Sequence, residues 1–331
     1  MSNTKQFLRK LIFEIDSPSI FNSLALKTFQ YQALNNPIYS EFIRHLNRDF
    51  AGINSIRRIP FLPIEFFKSN KVITGNLEAE IVFESSGTSR QAHARHYVSD
   101  KHQYIRSFSK CFKLFLGDPS QYCILALLPS YLEKGSSSLV FMVDTLIKAT
   151  NDPLSGFFLN DQQRLAEKLK IVESEGKKTI LLGVAFALLE FAEQFPMQLK
   201  KTIVMETGGM KGRRREITRT ELHSQLRKSF GVDKIYSEYG MTELLSQAYS
   251  FGDGLFRAPP WMKIFIRNPY DPFELFTEGT SGGINVIDLA NINSCSFIQT
   301  DDFGRLNSDG TFEVLGRMDS AELRGCNFLL E

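Results

Sequence analysis

A chain of 331 residues is long enough to bury a sizeable core as one large domain or two lobes. Hydrophobic residues make up 43% and charged residues 23%, an ordinary globular balance. The net charge of +2, from 39 basic and 37 acidic residues, predicts neither a nucleic acid nor a membrane surface as partner. No apolar run approaches the ~20 residues a bilayer span requires, and Met1 to Lys10 lacks the apolar region of a signal peptide. Cys111, Cys123, Cys295 and Cys326 are scattered without CxxC spacing, which argues against a disulfide framework or a structural zinc site and predicts a cytoplasmic location. The 29 phenylalanines read either as a Phe-rich core or as the lining of a pocket for an apolar acyl or aryl group.

In chain order, helices and strands alternate, which predicts an α/β fold. Roughly the first 55 residues read as helical and mixed. No sharp linker follows them, and Ile59-Pro60-Phe61-Leu62-Pro63 is a breaker-rich entry to what comes next. The apolar run from Gln121 to Leu128 predicts a buried strand ending at Pro129, and Ser136 to Ser138 cap a helix running to about Ala149. A strand over Lys178 to Val184 passes into a helix around Ala185 to Phe195. A short strand comes next over Thr202 to Glu206, then a helix over Glu216 to Phe230 closed by Gly231. Val232 to Ser237 is the expected strand before the next motif. From Trp261 onward, short strands and Gly/Pro/Asp turns predict a β-rich sublobe.

Three segments stand out for the chemistry of their side chains. Glu84-Ser85-Ser86-Gly87-Thr88-Ser89-Arg90 packs hydroxyls and backbone N–H groups around one glycine, which can cradle phosphate oxygens, although such a cluster alone is more often an ordinary surface turn. Tyr236-Ser237-Glu238-Tyr239-Gly240-Met241-Thr242-Glu243 puts an aromatic, a glycine, a hydroxyl and a carboxylate where a strand gives way to a turn. Its plain alternative is a strand followed by a helix capped by Thr242 or Glu243. Thr300-Asp301-Asp302-Phe303-Gly304-Arg305, with Gly316-Arg317-Met318-Asp319 after it, offers a carboxylate suited to a diol. Alone, Asp301-Asp302 reads as a turn with a solvated pair.

These three segments, in this order, resemble the motifs of adenylate-forming enzymes. The resemblance implies their large α/β N-terminal domain with a β-rich C-terminal sublobe, here one domain over 1–331 with approximate sublobes 1–205 and 206–319. It implies ATP and magnesium as cofactors. ATP contacts fall on Ser85, Ser86, Gly87, Thr88 and Ser89, with Arg90 where a lysine is usual. They extend to Gly208, Gly209, Glu238, Tyr239 at the adenine, Gly240, and Asp302 with Arg317 at the ribose. Thr242 belongs at the α-phosphate, Glu243 at the magnesium ion, and Asp319 at a hinge to a mobile lid. Only 320–331 come after that hinge in this sequence, so the lid and its catalytic lysine are expected to be absent.

Ile59 to Lys68, Leu128 to Glu133 and Arg324-Gly325-Cys326-Asn327 narrow the resemblance to the acyl-protein synthetases of the bacterial bioluminescence fatty-acid reductase system. That family implies activation of a fatty or other carboxylic acid as acyl-AMP. The acyl group then passes to Cys326 as a thioester, for delivery to an acyl-reductase or acyl-carrier partner. Read alone, Cys326 is a buried inert thiol, the usual state of a lone cysteine. Arg324 beside it favours the thiolate, and an extended tail reaches about 23 Å from Asp319 to Cys326. Other readings are an acyl- or aryl-CoA ligase of the phenylacetate-ligase kind and a nucleotide-binding protein without turnover. Lys211-Gly212-Arg213-Arg214-Arg215 is a basic loop, read as a solvated face, a nucleic-acid contact, or a source of cations for phosphates or a partner; Lys211 is a candidate for charge at the α-phosphate.

Overall fold

A computed structural model describes residues 2–47, 52–85, 93–129, 135–208 and 217–318. It is mixed α/β, as the alternating pattern predicts, and divides into two compact units that interleave along the chain. One unit comprises Met1–Ser107, Glu243–Ser246 and Arg257–Glu331; the other comprises Phe108–Thr242 and Gln247–Phe256.

The second unit is built on parallel strands. Gly156–Phe157, Cys123–Leu127, Thr179–Val184, Thr202–Thr207 and Tyr236–Tyr239 lie side by side in that order, and Ala248–Ser250 adds antiparallel to the last. Helices Ser138–Thr150, Gln162–Ser174, Ala185–Gln194 and Arg219–Phe230 connect them. Every residue of Cys123–Leu127 and of Thr179–Val184 is buried, which explains why they read as unbroken apolar runs rather than alternating ones. The Ser137 hydroxyl caps its helix by accepting from Val140 N at 3.4 Å. The helix expected from Glu216 begins at Arg219: Thr218 and Glu221 form a reciprocal capping box, with Thr218 in extended backbone. Gly231 closes it at φ 61°, a left-handed conformation that favours glycine. The strand expected at Val232 to Ser237 lies instead at Tyr236–Tyr239, because pairing with its neighbour starts at Met205↔Tyr236.

The first unit is antiparallel where the second is parallel. Met262–Arg267, Ser281–Asp288, Phe297–Leu306 and Phe312–Arg317 form a meander in sequence order, and Leu62–Pro63 joins Phe297–Leu306 in parallel. Ile81–Glu84 pairs separately with Arg95–Val98. Helices Ser2–Leu11, Pro18–Asn35 and Pro37–His45 supply the helical start, with Pro18 and Pro37 in first-turn positions where no N–H is needed. Gln32 reaches across the chain from its helix: its Nε2 donates to the carbonyls of Asn291, Ile292 and Ser294 at 3.1–3.2 Å, and its Oε1 accepts from Ser296 N at 2.9 Å. Many of the described phenylalanines go into cores, while Phe7 is exposed. Phe297 stacks on Tyr39 at 6.0 Å and meets Phe29 edge-on at 6.1 Å in this unit, and Phe191 packs on Phe195 and Phe230 in the other.

Candidate active site

The carboxylate cluster of the first unit grows out of its meander. Asp302 stands in register with Arg317 on the neighbouring strand, next to a register shift between Phe303 and Gly304. The Arg317 guanidinium lies 3.4 Å from the Asp301 carboxylate, and Met318 N donates to Asp301 O at 2.7 Å. Asp302 N donates to the Thr300 hydroxyl at 3.1 Å. Burial raises the Asp301 carboxyl to about 6; hydrogen bonding with Glu65 and its negative charge add to this, while Arg317 and Lys68 oppose it. Glu243 shares this environment. Burial to 4% exposure pushes its carboxyl up to about 7, Asp302 and Asp301 push the same way, and Arg317 pulls it down.

Such a site fits a hard divalent cation. Among the described residues no three His, Cys, Asp or Glu side chains converge as a complete metal cage. Magnesium, however, is ordinarily held by one or two carboxylates together with substrate phosphates. A buried carboxylate under the negative charge of Asp301 and Asp302 is costly to ionise, and a cation beside it reverses that cost.

Arg267, which sequence reading missed, lies within the same unit. It is 4% exposed; its guanidinium donates to Ile284 O at 3.0 Å, Asn285 Oδ1 at 3.1 Å and Thr300 O at 2.8 Å, and contacts Met318 Sδ at 3.5 Å. Burial lowers its pKa to about 10, with Asp301, Glu65 and Asp302 opposing. A Cβ on Gly283 would sit 2.4 Å from the guanidinium carbon, so the Gly282-Gly283 pair was the one sequence signal for its space.

In the second unit the candidate residues gather at the carboxyl ends of parallel strands, where open α/β sheets bind ligands. Thr207 ends one strand and its hydroxyl donates to the buried Glu238 carboxylate on the next. Burial raises Glu238 to about 7, the Thr207 hydrogen bond lowers it, and the charge of Glu206 raises it. Glu206 itself pairs with Arg219 at 3.3 Å and lies 3.6 Å from His223. Tyr239 is buried, with its ring edge-on to Phe256 at 5.9 Å. A Cβ on Gly240 would come within 2.5 Å of the Glu238 carboxylate, so a larger residue here requires that side chain to move. Thr242 is half-buried, and 240–247 are irregular with a turn at Thr242 and Glu243 rather than the capped helix of the plainer reading, leading into Ala248–Ser250.

Ser85 begins the serine-rich segment at the mouth of an antiparallel pair. Its hydroxyl accepts from Ala94 N at 2.9 Å, and its backbone N donates to Ala94 O at 2.9 Å. Gly208 succeeds Thr207 in a left-handed turn. Ser86, Gly87, Thr88, Ser89, Arg90, Gly209, Lys211, Asp319 and Cys326 lie outside the described residues.

The family profile described as "Acyl-protein synthetase, LuxE" matches residues 11–331. The chain belongs to the LuxE acyl-protein synthetase family. No curated protein matches the sequence. Solved adenylate-forming ligases share the fold of this LuxE-family chain. ATP-bound MatB from Rhodopseudomonas palustris is 18% identical with a TM-score of 0.53, the match covering 71% of this chain and 47% of MatB. A 2-hydroxyisobutyryl-CoA ligase (HCL) with 2-HIB-AMP and CoA, in the thioesterification state, is 13% identical with a TM-score of 0.67, covering 92% and 70%. The chain thus spans about half the length of the MatB structures it matches. No described helix is long and apolar enough to cross a membrane.

Proposed function

We propose that this LuxE-family chain activates a carboxylic acid, of the fatty-acid class, with ATP, and then carries the acyl group as a thioester on Cys326 for a reductase or acyl-carrier partner. In the first step a carboxylate oxygen of the acid forms a bond to the α-phosphorus, the α–β phosphoanhydride breaks, and pyrophosphate leaves. In the second, the Cys326 thiolate forms a C–S bond to the acyl carbon and AMP leaves with the electrons of the C–O bond.

The observation that carries the reading is the grouping of Glu243 with Asp302 and Arg317 in one compact unit. Asp302 accepts from the ribose hydroxyls, for which an ionised carboxylate is apt. Arg317 holds the same side of the nucleotide. Glu243 would hold magnesium, which would neutralise charge at the phosphates. Thr242 donates to the α-phosphate, and the segment from Ser85 to Ser89 with Gly208 and Gly209 gives hydroxyl and backbone donors to phosphate oxygens. Glu238, Tyr239 and Gly240 border the base.

The thiol inventory supports Cys326 as acceptor. Cys111, Cys123 and Cys295 are buried, and burial raises Cys123 to about 11 and Cys295 to about 12, leaving little thiolate at neutral pH.

Acid-dependent exchange of labelled pyrophosphate into ATP tests the first step, with exchange expected for the intact chain and suppressed in Glu243→Gln. Undiminished exchange in Glu243→Gln contradicts the metal role. Acyl-CoA formation without any protein thioester favours a CoA ligase, the class to which HCL belongs by name.

A further inference from the structure

Asp288 has no exposed surface and ends the strand Ser281–Asp288. Its carboxylate is filled by donors. Oδ2 accepts from Leu245 N at 2.8 Å and Ser246 N at 3.0 Å; Oδ1 accepts from the Ser246 hydroxyl at 2.6 Å and Ala290 N at 3.1 Å. The Ser246 hydroxyl is likewise saturated. It gives its one proton to Asp288, accepts from Trp261 Nε1 at 3.0 Å, and stands 3.0 Å from the Ser107 hydroxyl. Three residues beyond Asp288, Asn291 Nδ2 donates to the backbone carbonyl of Glu243 at 2.6 Å. Asn291 is in turn fixed by Gln32, whose amide donates to the Asn291 carbonyl.

The backbone from Glu243 to Ser246 is therefore gripped at the Glu243 carbonyl, the Leu245 N–H and the Ser246 N–H, from a strand and turn of its own compact unit. Leu244 and Leu245 are buried on the same stretch, so the segment has little freedom to shift. A carboxylate is the right group at this node because it only accepts. An asparagine there would turn its amide N–H groups toward the two backbone donors or toward Ser246 and Ala290, and two donors would then face each other.

We propose that Asp288 is a positioning residue for Glu243: by clamping the 243–246 backbone it fixes the direction in which the Glu243 carboxylate meets a magnesium–nucleotide complex. The inference rests on the reading of Glu243 as the metal carboxylate. Residues that orient a metal-binding group typically change metal affinity about 10–100-fold when altered. Asn291 acts through the same segment at a single hydrogen bond.

The test is manganese(II) binding by electron paramagnetic resonance, with α,β-methylene-ATP saturating, alongside calorimetric affinity for the analogue in EDTA. Asp288→Asn is expected to weaken manganese binding by about tenfold or more while leaving the metal-free affinity for the analogue unchanged. Asn291→Ala is expected to shift manganese binding the same way by less. Unchanged manganese affinity in folded Asp288→Asn overturns the proposal, as does an equal loss of analogue affinity in EDTA, the mark of general loosening. If Asp288→Asn does not fold, Asn291→Ala and Ser246→Ala decide, and wild-type manganese affinity in both overturns it. An unaltered chain that binds no manganese with the analogue and catalyses no acid-dependent exchange brings down the adenylation reading, and this inference with it.

Discussion

Asp302 and Arg317 face each other in register on adjacent antiparallel strands, and the same arginine approaches Asp301 at 3.4 Å while easing the ionisation of Glu243. One exposed cation thus stands opposite Asp302, pairs with the adjacent Asp301 and acts on Glu243, which lies far upstream in the sequence. Asp302→Ala removes a charge-assisted acceptor from this group. It is expected to weaken ATP binding by about 1.5–3 kcal/mol, with less effect on half-saturation by the acid. Calorimetry with ATP checks it, and an affinity equal to wild type rules out the ribose role.

Glu238 gives a pH dependence. Its carboxyl is raised from 4.5 to about 7 by burial, so the folded state binds its proton more tightly than the unfolded state. That contribution to stability is fully present below about 4.5 and is lost as pH rises through about 7. Glu238→Gln keeps an acceptor for the Thr207 hydroxyl and removes the cost of ionisation. The variant should melt higher than wild type at pH 8 and close to it at pH 5. A melting difference that is the same at both values, or reversed, contradicts the assignment.

Arg267 and Gly283 should be energetically coupled. Arg267→Leu abandons buried acceptors at Ile284, Asn285 and Thr300, at roughly 1–3 kcal/mol each. Gly283→Ala drives a methyl into the guanidinium in the wild type, but into vacated space in Arg267→Leu. Denaturant titration of the four proteins should show the alanine costing much less in the double variant. Additive losses would mean that the guanidinium does not occupy this space.

Burial of the three described thiols, with Cys326 proposed as the reactive one, gives a labelling pattern. Cys111, Cys123 and Cys295 are buried. The native protein should react with iodoacetamide at Cys326 far faster than at those three, as read by peptide mass spectrometry. Comparable labelling of Cys123 or Cys295 in the folded state would count against the thiol assignment.

Much of the fold was legible because its signals are local. Unbroken apolar runs marked Cys123–Leu127 and Thr179–Val184, and Ser137 and Gly231 marked helix ends. Boundaries failed where the deciding partner was distant or the cap ambiguous: pairing to Met205 sets the start of Tyr236–Tyr239, and Thr218 begins a helix whose charged pattern extends upstream. The turn after Gly240 replaced a plausible capped helix because this segment is held by Asp288 and Asn291, more than forty residues on. Glu243, Asp302 and Arg317 stood out as motif residues. Arg267 and Asp288 did not, since a lone arginine in a strand and an aspartate before a turn are ordinary until their buried partners are known.

The most direct test of the account is intact-mass analysis of the chain after incubation with ATP, magnesium and a panel of fatty and aryl acids, with and without coenzyme A. One acid should add one acyl mass, removable by neutral hydroxylamine, and Cys326→Ser should abolish the adduct while acid-dependent pyrophosphate release persists. An adduct that survives in Cys326→Ser, or that maps to Cys111, Cys123 or Cys295, would contradict it.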